Sequence, residues 1–107
     1  MISVIKENKI GVPCVGSIVQ SVAGRDKKRC FVIVGFEYTV DKAIVYIADG
    51  ALHKLECPKK KNIRHLRFVA LGDEGTVVAI ERGEMTNRAL RSLLREKGLL
   101  YVNDRRD

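Results

Sequence analysis

Two clusters of basic side chains are the part of this sequence whose residue types and spacing favour a chemical role. Residues 25–29 contain four Lys and Arg and a single acid, Asp26. Residues 53–67 contain six Lys and Arg and again a single acid, Glu56. Such clusters create a positive potential that attracts polyanions, of which nucleic acid is the commonest in cells. We expect the following cations to contact phosphates: Arg25, Lys27, Lys28, Arg29, Lys54, Lys59, Lys60, Lys61, Arg64 and Arg67.

The net charge is distributed unevenly along the chain. The 107 residues include 20 Lys and Arg against 13 Asp and Glu, which makes a formal charge of +7. Residues 1–67 hold 13 of the basic and six of the acidic residues, whereas residues 68–107 hold seven of each. A solvated face that only keeps the protein soluble is the alternative interpretation of one such cluster. Two clusters that no acidic stretch compensates favour a binding surface.

The three cysteines do not form a pattern typical of a metal site. Cys14, Cys30 and Cys57 are 16 and 27 residues apart, and no Cys-x-x-Cys pair is present. We interpret all three as buried thiols, because a free cysteine behaves as a small hydrophobic residue. His53 and His65 lack the close spacing that would complete a ligand set with Cys57, so we expect neither a metal nor another cofactor.

The sequence does not indicate an enzyme. Its acidic residues are dispersed, neither histidine has a nucleophile nearby in sequence, and no glycine-rich nucleotide loop is present. Asp49 precedes Gly50 in a predicted turn, where a carboxylate commonly accepts backbone hydrogen bonds. A chain of this size buries only about 65% of its unfolded surface, which leaves little core to spare for a large cleft. We therefore expect a binding module.

Neither a membrane span nor an export signal is predicted. The longest apolar runs, residues 30–36 and 43–48, are much shorter than the roughly 20 residues that a membrane-spanning helix needs. Glu7 and Asn8 interrupt the N-terminal stretch where a signal peptide is continuously hydrophobic. We expect a cytoplasmic protein.

Strand patterns dominate the first two-thirds of the chain and position both basic clusters. Short strands are predicted for residues 16–20, 30–37, 43–48, 52–56 and 62–66, with a turn at residues 49–50 and an exposed connector at residues 58–61. About five short strands without a helical period predict a mainly β fold, a small antiparallel barrel whose closure removes exposed edges. Alternation along the strands gives these core candidates: Ile18, Val32, Val34, Val45 and Ile47.

The C-terminal 40 residues have a different pattern. Residues 68–71 and 76–80 flank a turn at residues 72–75 and predict a β-hairpin. Thr86 is a suitable N-cap for a helix that continues to Gly98, and its leucines are expected to pack on the barrel. Arg88, Arg91 and Arg95 form a stripe beside the leucines, either a solvated face or an extension of the basic surface. The predicted units are thus a barrel, residues 1–67, and a hairpin-helix extension, residues 68–107, packed together as one unit.

Residues 16–35 have the sequence GSIVQSVAGRDKKRCFVIVG. Hydrophobic and polar residues alternate up to a glycine, and a basic loop then leads into an apolar strand. This segment resembles a KOW motif. With IADG (residues 47–50), KKKNIRHL (residues 59–66) and REKGLL (residues 95–100), the chain resembles the fourteenth large-subunit ribosomal protein of archaea and eukaryotes and bacterial KOW-domain RNA-binding proteins. The resemblance implies an SH3-like barrel that presents the loop at residues 25–29 and the basic stretch before the last strand to RNA. It adds His65 to the RNA-contact residues.

One position departs from the KOW pattern. The motif usually has a glycine directly after the loop lysine, and this chain has Lys28 there. A residue with a Cβ resists the left-handed conformation by roughly 1 kcal/mol. We therefore expect the shape of this loop to differ from that of the family.

The basic clusters predict a non-catalytic RNA-binding protein, and the resemblance implies a role in translation, either as a ribosomal component or as a ribosome-associated factor. It would be a monomer that contacts folded RNA, that of the large ribosomal subunit, through phosphates, with ribosomal proteins as further partners and no membrane contact. Base stacking is expected to be minor, because Phe31, Phe36 and Tyr46 lie in apolar strands and only Tyr38 is a candidate platform. The alternatives are an SH3-like protein-interaction module and a transcription-associated KOW factor.

Overall fold

A computed structural model describes residues 14–38 and 43–100 of the chain and has a mainly β architecture. Its strands and helices follow one another in this order: β1 (Ile18–Ser21), β2 (Cys30–Tyr38), β3 (Ala43–Ala48), β4 (Lys59–Asn62), a 3₁₀ helix (Ile63–His65), β5 (Leu66–Ala70), α1 (Glu74–Glu81) and α2 (Asn87–Glu96). None of the helices in these two ranges is long and apolar enough to cross a bilayer.

The five strands form one antiparallel sheet in the order β4-β3-β2-β1-β5. The predicted mainly β fold with five antiparallel strands is confirmed, but the sheet is open, with β4 and β5 at its two edges. The 3₁₀ helix joins these edge strands directly, because only residues 63–65 separate them in the chain. Strand β5 spans the predicted boundary after Arg67 and pairs with β1, so the sheet includes residues that the sequence pattern assigned to the extension.

The central strands β1, β2 and β3 contribute buried side chains to both faces of the sheet, because side chains alternate along each strand. On the face that we call the inner face, Val19, Phe31, Ile33, Val45 and Ile47 form one fully buried cluster. On the opposite, helix-covered face, Ile18, Cys30, Val32 and Ala48 pack with Leu90 and Leu94 of α2. Four of the five predicted core residues are fully buried, but they are divided between the two faces, and Val34 is only half-buried.

Strands β2 and β3 confirm the sequence prediction most closely. Their runs of β-branched and aromatic residues pair over almost their whole length, from Val32 opposite Ala48 to Tyr38 opposite Ala43. A bulge between Ile33 and Gly35 interrupts the register. These two strands form the centre of the sheet and carry most of the inner-face cluster.

The predicted strand at residues 52–56 is wrong, and so is the connector that was expected to follow it. Residues 49–58 form turns and bends, and the lysine run itself is the edge strand β4, with Lys59 opposite Ile47. Lysines on an edge strand prevent pairing with other sheets, and Pro58 is tolerated immediately before the strand. The extended piece expected at residues 62–66 is mostly the 3₁₀ helix.

The predicted β-hairpin at residues 68–80 is also wrong. Its first half lies in β5, but its second half is helix α1. Asp73 is the N-cap of this helix, and its Oδ1 accepts a hydrogen bond of 2.7 Å from the Thr76 backbone N–H. Tertiary packing overrides the β-propensity of the Thr-Val-Val run. Gly72 lets the segment before α1 pass close to the backbone of Gly16, because a Cβ at position 72 would lie 2.1 Å from the Gly16 carbonyl oxygen.

Helix α2 confirms its predicted bounds and packing. Thr86 Oγ1 accepts a hydrogen bond from the Ala89 N–H, and Gly98 ends the helix with a φ of 72°. Leu90 and Leu94 are fully buried against β1, β2 and β3. The leucine face therefore packs on the sheet, as expected, rather than on a separate partner.

Candidate nucleic-acid interface

The loop at residues 22–29 joins β1 to β2 and carries the first basic cluster. The Lys28 N–H donates to the Ser21 carbonyl at 2.7 Å, and the Arg29 N–H donates to the Asp26 carbonyl at 3.0 Å. Lys28 has a φ of 77°, the only positive value at a non-glycine position in the described ranges. The loop therefore uses the left-handed conformation at this position despite the Cβ of Lys28. That its shape differs from the loop of KOW proteins stays a prediction.

Asp26 connects this loop to the second basic cluster. Its side chain is 5% exposed, and Oδ1 accepts hydrogen bonds of 3.0 Å from both Ser21 Oγ and Lys61 Nζ. The same ammonium donates to the Ala23 carbonyl at 3.1 Å. Lys61 thus connects the edge strand β4 to the β1–β2 loop.

The electrostatic environment of Asp26 keeps its carboxylate charged. Burial by itself would raise the pKa of Asp26, but the hydrogen bonds from Lys61 and Ser21, with the charge of the Lys61 ammonium, hold this pKa below its ordinary value. His53 Nε2 lies 3.5 Å from Asp26 Oδ2, on the other side of the carboxylate. The buried acid therefore brings together the side chains of Lys61 and His53 from two distant segments of the chain.

A second buried acid, Asp49, organises the turn after β3. Its Oδ1 accepts hydrogen bonds from the backbone N–H groups of Ala51 (3.0 Å) and His53 (2.9 Å), which confirms the backbone role expected for this residue. Its Oδ2 lies 3.2 Å from an Arg29 guanidinium nitrogen. The His53 ring packs against Phe31, with their centroids 5.4 Å apart. The turn is thereby fixed against the start of β2.

A depression with a volume of about 500 Å³ lies between these segments, and we call it the basic depression. Its lining residues come from the β1–β2 loop, the turn after β3 and strand β4: Gly24, Arg25, Asp26, Arg29, Leu52, His53, Lys59 and Lys61. Arg29 and Lys61 are paired with buried acids, whereas the side chains of Arg25 and Lys59 are exposed and have no ion pair within residues 14–38 and 43–100. The depression therefore has an excess of positive charge.

The register of the sheet divides the other predicted contact residues. Lys59 and Lys61 lie opposite inner-face residues, whereas Lys60 points to the other face, where its Nζ lies 3.7 Å from Glu37. Arg67 also lies on the helix-covered side and donates a hydrogen bond to Gln20. Four of the predicted residues thus line the basic depression: Arg25, Arg29, Lys59 and Lys61. Lys60 and Arg67 lie on the helix-covered side of the sheet.

The remaining predicted residues are exposed around the depression or on the loops beside it. Lys27 and Lys28 lie in the β1–β2 loop, Lys54 in the turn after β3, and Arg64 and His65 in the 3₁₀ helix. The His65 carbonyl accepts a hydrogen bond of 2.9 Å from the Val22 N–H, which holds the 3₁₀ helix beside the basic loop.

Sequence reasoning missed the structural role of Asp26 and the pairing of Asp49 with Arg29. Asp26 was interpreted only as a charge that offsets its cluster, yet it positions Lys61, 35 residues away in the chain. The lone acid among the cations of residues 25–29 was the available signal for Asp26, because a single carboxylate among cations is a natural partner for one of them. The identity of that partner depends on the sheet register, which the pattern did not predict for β4.

The arginines of α2 do not line the basic depression. Arg88 and Arg95 are exposed, and the Arg91 guanidinium donates a hydrogen bond of 2.6 Å to the Gly50 carbonyl. Arg91 thus attaches the helix to the turn after β3. Gly50 is required there, since a Cβ would lie 2.2 Å from the Asn87 carbonyl oxygen.

Of the expectations for the aromatic and cysteine side chains, only the one for the cysteines is wrong in part. Phe31 is buried and Tyr46 is half-buried, consistent with packing, and the Tyr38 side chain lies outside the described residues. Only Cys30 is a buried thiol, with a pKa that burial raises, whereas Cys57 is exposed and Cys14 half-buried. In the part of the chain that the structure describes, no three His, Cys, Asp or Glu side chains converge as metal ligands.

Comparison with known proteins finds no protein-family model that matches the chain and no curated relative.

Proposed function

We propose that this chain is a non-catalytic RNA-binding protein whose contact surface is centred on the basic depression. The observation that supports the proposal most is the convergence of the two basic clusters, which are separated by more than 20 residues in the chain, around one depression. Buried carboxylates hold Arg29 and Lys61 in place, and the exposed Arg25 and Lys59 keep their charge for a ligand. A polyanion complements this arrangement.

The proposed mechanism is phosphate neutralisation by a preformed surface. Exposed cations of the loop at residues 25–28, of β4 and of the 3₁₀ helix contact backbone phosphates and release counterions. The recognised feature is the shape of a folded RNA, because side chains do not read the deep major groove of an RNA helix. Arg29 and Lys61 shape the surface, and their own charges are largely compensated by Asp49 and Asp26.

The resemblance to KOW-domain proteins makes the proposal more specific. We propose that the open sheet and the 3₁₀ connection between its edge strands correspond to an SH3-like barrel, with the loop at residues 22–29 as its RNA-contact loop. The left-handed Lys28, at the position where the motif usually has glycine, supports this correspondence. A role in translation, as a component of the large ribosomal subunit or a factor associated with it, follows from the same resemblance.

The salt dependence of RNA binding tests the proposal. With about 4–6 phosphates neutralised, the slope of log affinity against log salt concentration is expected to be about −3 to −5. The variant Arg25→Gln/Lys59→Gln should weaken binding at least about tenfold near 0.1 M salt and reduce the slope by about 2. The measurement is fluorescence anisotropy with a labelled structured RNA over a range of salt concentrations.

The matched control is the variant Arg88→Gln/Arg95→Gln, which also removes two exposed arginine or lysine charges but from helix α2. It should retain nearly the wild-type affinity and slope. A slope near zero for the wild type, or equal losses in the two variants, would contradict the proposed location of the RNA surface.

A protein-interaction module is the second candidate function, and one observation favours it. An apolar groove of about 480 Å³ lies on the helix-covered side, where Val34, Tyr46, Leu55, Ile80 and Met85 contribute to its lining. Affinity capture with and without ribonuclease separates the candidates. Partners that are lost after RNA digestion support RNA binding, whereas partners that persist and are lost on Met85→Lys support the protein-interaction module.

A further inference from the structure

The basic depression is larger than the phosphate contacts alone require. Its volume of about 500 Å³ is within the range of roughly 300–1,000 Å³ that is typical of small-molecule sites. It is also not purely polar, since Leu52 and the His53 ring form part of its lining. A site for phosphates alone needs neither this volume nor an apolar wall.

Leu52 is the most exposed of the large hydrophobic side chains in the described ranges, at 53%. It lies beside His53, whose side chain is 20% exposed and packs its ring on Phe31. Proteins hold an unstacked base between aromatic or apolar side chains, and nearby cations contact its phosphate.

The segment that carries Leu52 is preorganised. Asp49 accepts hydrogen bonds from the backbone N–H groups of Ala51 and His53, which fix the turn on both sides of Leu52. The Asp49 and Gly50 N–H groups both donate to the His53 carbonyl, at 2.9 and 3.1 Å. A fixed turn reduces the ordering cost of binding. The exposure of Leu52 is therefore a property of a rigid surface.

Building on the RNA binding proposed above, we infer that the basic depression receives one unstacked nucleotide of the bound RNA. Its phosphate lies between the exposed cations Arg25 and Lys59, and its base lies against Leu52 and the His53 ring. The protein accordingly prefers RNA that has a bulged or looped-out nucleotide over a continuous duplex of the same length. Arg29 and Lys61 form the walls through their pairing with Asp49 and Asp26.

Three RNA hairpins that differ at one position test this inference. The first has a continuous stem, the second has one unpaired nucleotide in the stem, and the third has an abasic sugar at that place. Wild-type protein should bind the bulged hairpin about tenfold more tightly than either of the others, since stacking on a protein surface contributes about this much per base. The abasic hairpin separates the contribution of the base from that of the extra phosphate.

Two leucine variants complete the experiment. Leu52→Ala should remove most of the preference for the bulged hairpin while it leaves the affinity for the continuous hairpin almost unchanged. Leu71→Ala is the matched control, because Leu71 is also exposed, at 44%, but does not line the depression. It should retain the full preference, and circular dichroism verifies that both variants are folded.

The possible failures are distinguishable. If wild-type protein binds none of the hairpins at low salt, the proposed RNA-binding function fails, and this inference fails with it. If wild-type protein binds all three hairpins equally, or Leu52→Ala retains the full preference, the nucleotide site is overturned while RNA binding stands.

Discussion

The two faces of the sheet are built from the same strands but are completed by different chemistry. On the helix-covered face, Leu90 and Leu94 of α2 close an apolar cluster that has no ionic contact within it. On the inner face, the apolar cluster ends at one side in buried ion pairs, in which Asp26 binds Lys61 and Asp49 binds Arg29. The helix-covered face is therefore stabilised by apolar packing, whereas ion pairs at the border of the inner face fix the positions of Lys61 and Arg29.

This difference implies different responses to solution conditions. Apolar packing depends little on pH or salt, whereas a carboxylate that is held charged loses its contribution when it is protonated. The ion pairs also cost desolvation that a hydrophobic contact does not, so their retention at the depression is consistent with a role in positioning cations.

The largest expected effect is on the helix-covered face. Leu94→Ala removes a fully buried side chain and leaves a cavity between α2 and the sheet, which should lower the free energy of unfolding by about 3 kcal/mol. Urea denaturation followed by circular dichroism measures it, and the loss should be the same at pH 7 and pH 5. Leu52→Ala, at an exposed position, should change stability by less than about 0.5 kcal/mol.

A smaller loss is expected at the buried ion pair. Asp26→Ala should lower the free energy of unfolding at pH 7 by about 2 kcal/mol, because the Lys61 ammonium loses its carboxylate partner. The loss is less than for a fully enclosed pair, since Lys61 is 10% exposed and still donates to the Ala23 carbonyl. Glu37→Ala, at the exposed pair with Lys60, is the control and should show no resolved change. Equal stability of Asp26→Ala and wild type would remove the proposed positioning role of Asp26.

Part of the Asp26 contribution should disappear on acidification. The pKa of Asp26 in the folded protein lies below that of the unfolded chain, which is about 3.9, so folding is favoured above that pH. The contribution is lost as the pH falls from the unfolded value through the lower folded value. The stability difference between wild type and Asp26→Ala should therefore narrow below about pH 4. A difference that stays constant down to pH 2.5 would show that the carboxylate charge is not responsible.

The smallest effect is a gain at the loop itself. Lys28→Gly should raise the free energy of unfolding by about 1 kcal/mol, because the backbone at this position has a φ of 77° that a Cβ opposes. Thermal denaturation measures the shift against wild type. A loss of stability instead would mean that position 28 does not need the left-handed conformation in solution.

The sequence was sufficient to predict the elements whose local and tertiary preferences agree. Strands β2 and β3 combine β-branched residues with central positions in the sheet, and α2 combines an N-cap at Thr86, a leucine face and a terminal glycine. Local patterns also predicted the backbone contacts of Asp49. Where every level of organisation favours the same structure, a single sequence is informative.

The errors occurred where local preference and tertiary context conflict. Lysines 59–61 have no strand propensity of their own, and they pair only because β3 presents a free edge to them. The residues of α1 favour a strand locally, yet Asp73 caps a helix and Gly72 lets its start approach Gly16. Asp73 at the N-cap position followed by the acidic Glu74 was a helix-start signal that the β-branched run obscured.

The candidate site was predictable in its composition but not in its geometry. The basic segments were evident from charge alone, but the pairing of Lys61 with Asp26 and the separation of Lys60 and Arg67 from the depression depend on strand register. A shift of one residue would reverse which lysines face the depression. For this reason the list of contact residues becomes shorter and more specific once the sheet is known.

The central claim is that RNA contacts the basic depression and the loops beside it, and amide chemical-shift mapping tests it most directly. Isotope-labelled protein is titrated with the bulged RNA hairpin. The largest shifts should fall in residues 22–29, 50–54 and 59–65, and those of α1 and α2 should change little. Shifts concentrated instead around Val34, Tyr46 and Met85, or no shifts at low salt, would contradict it.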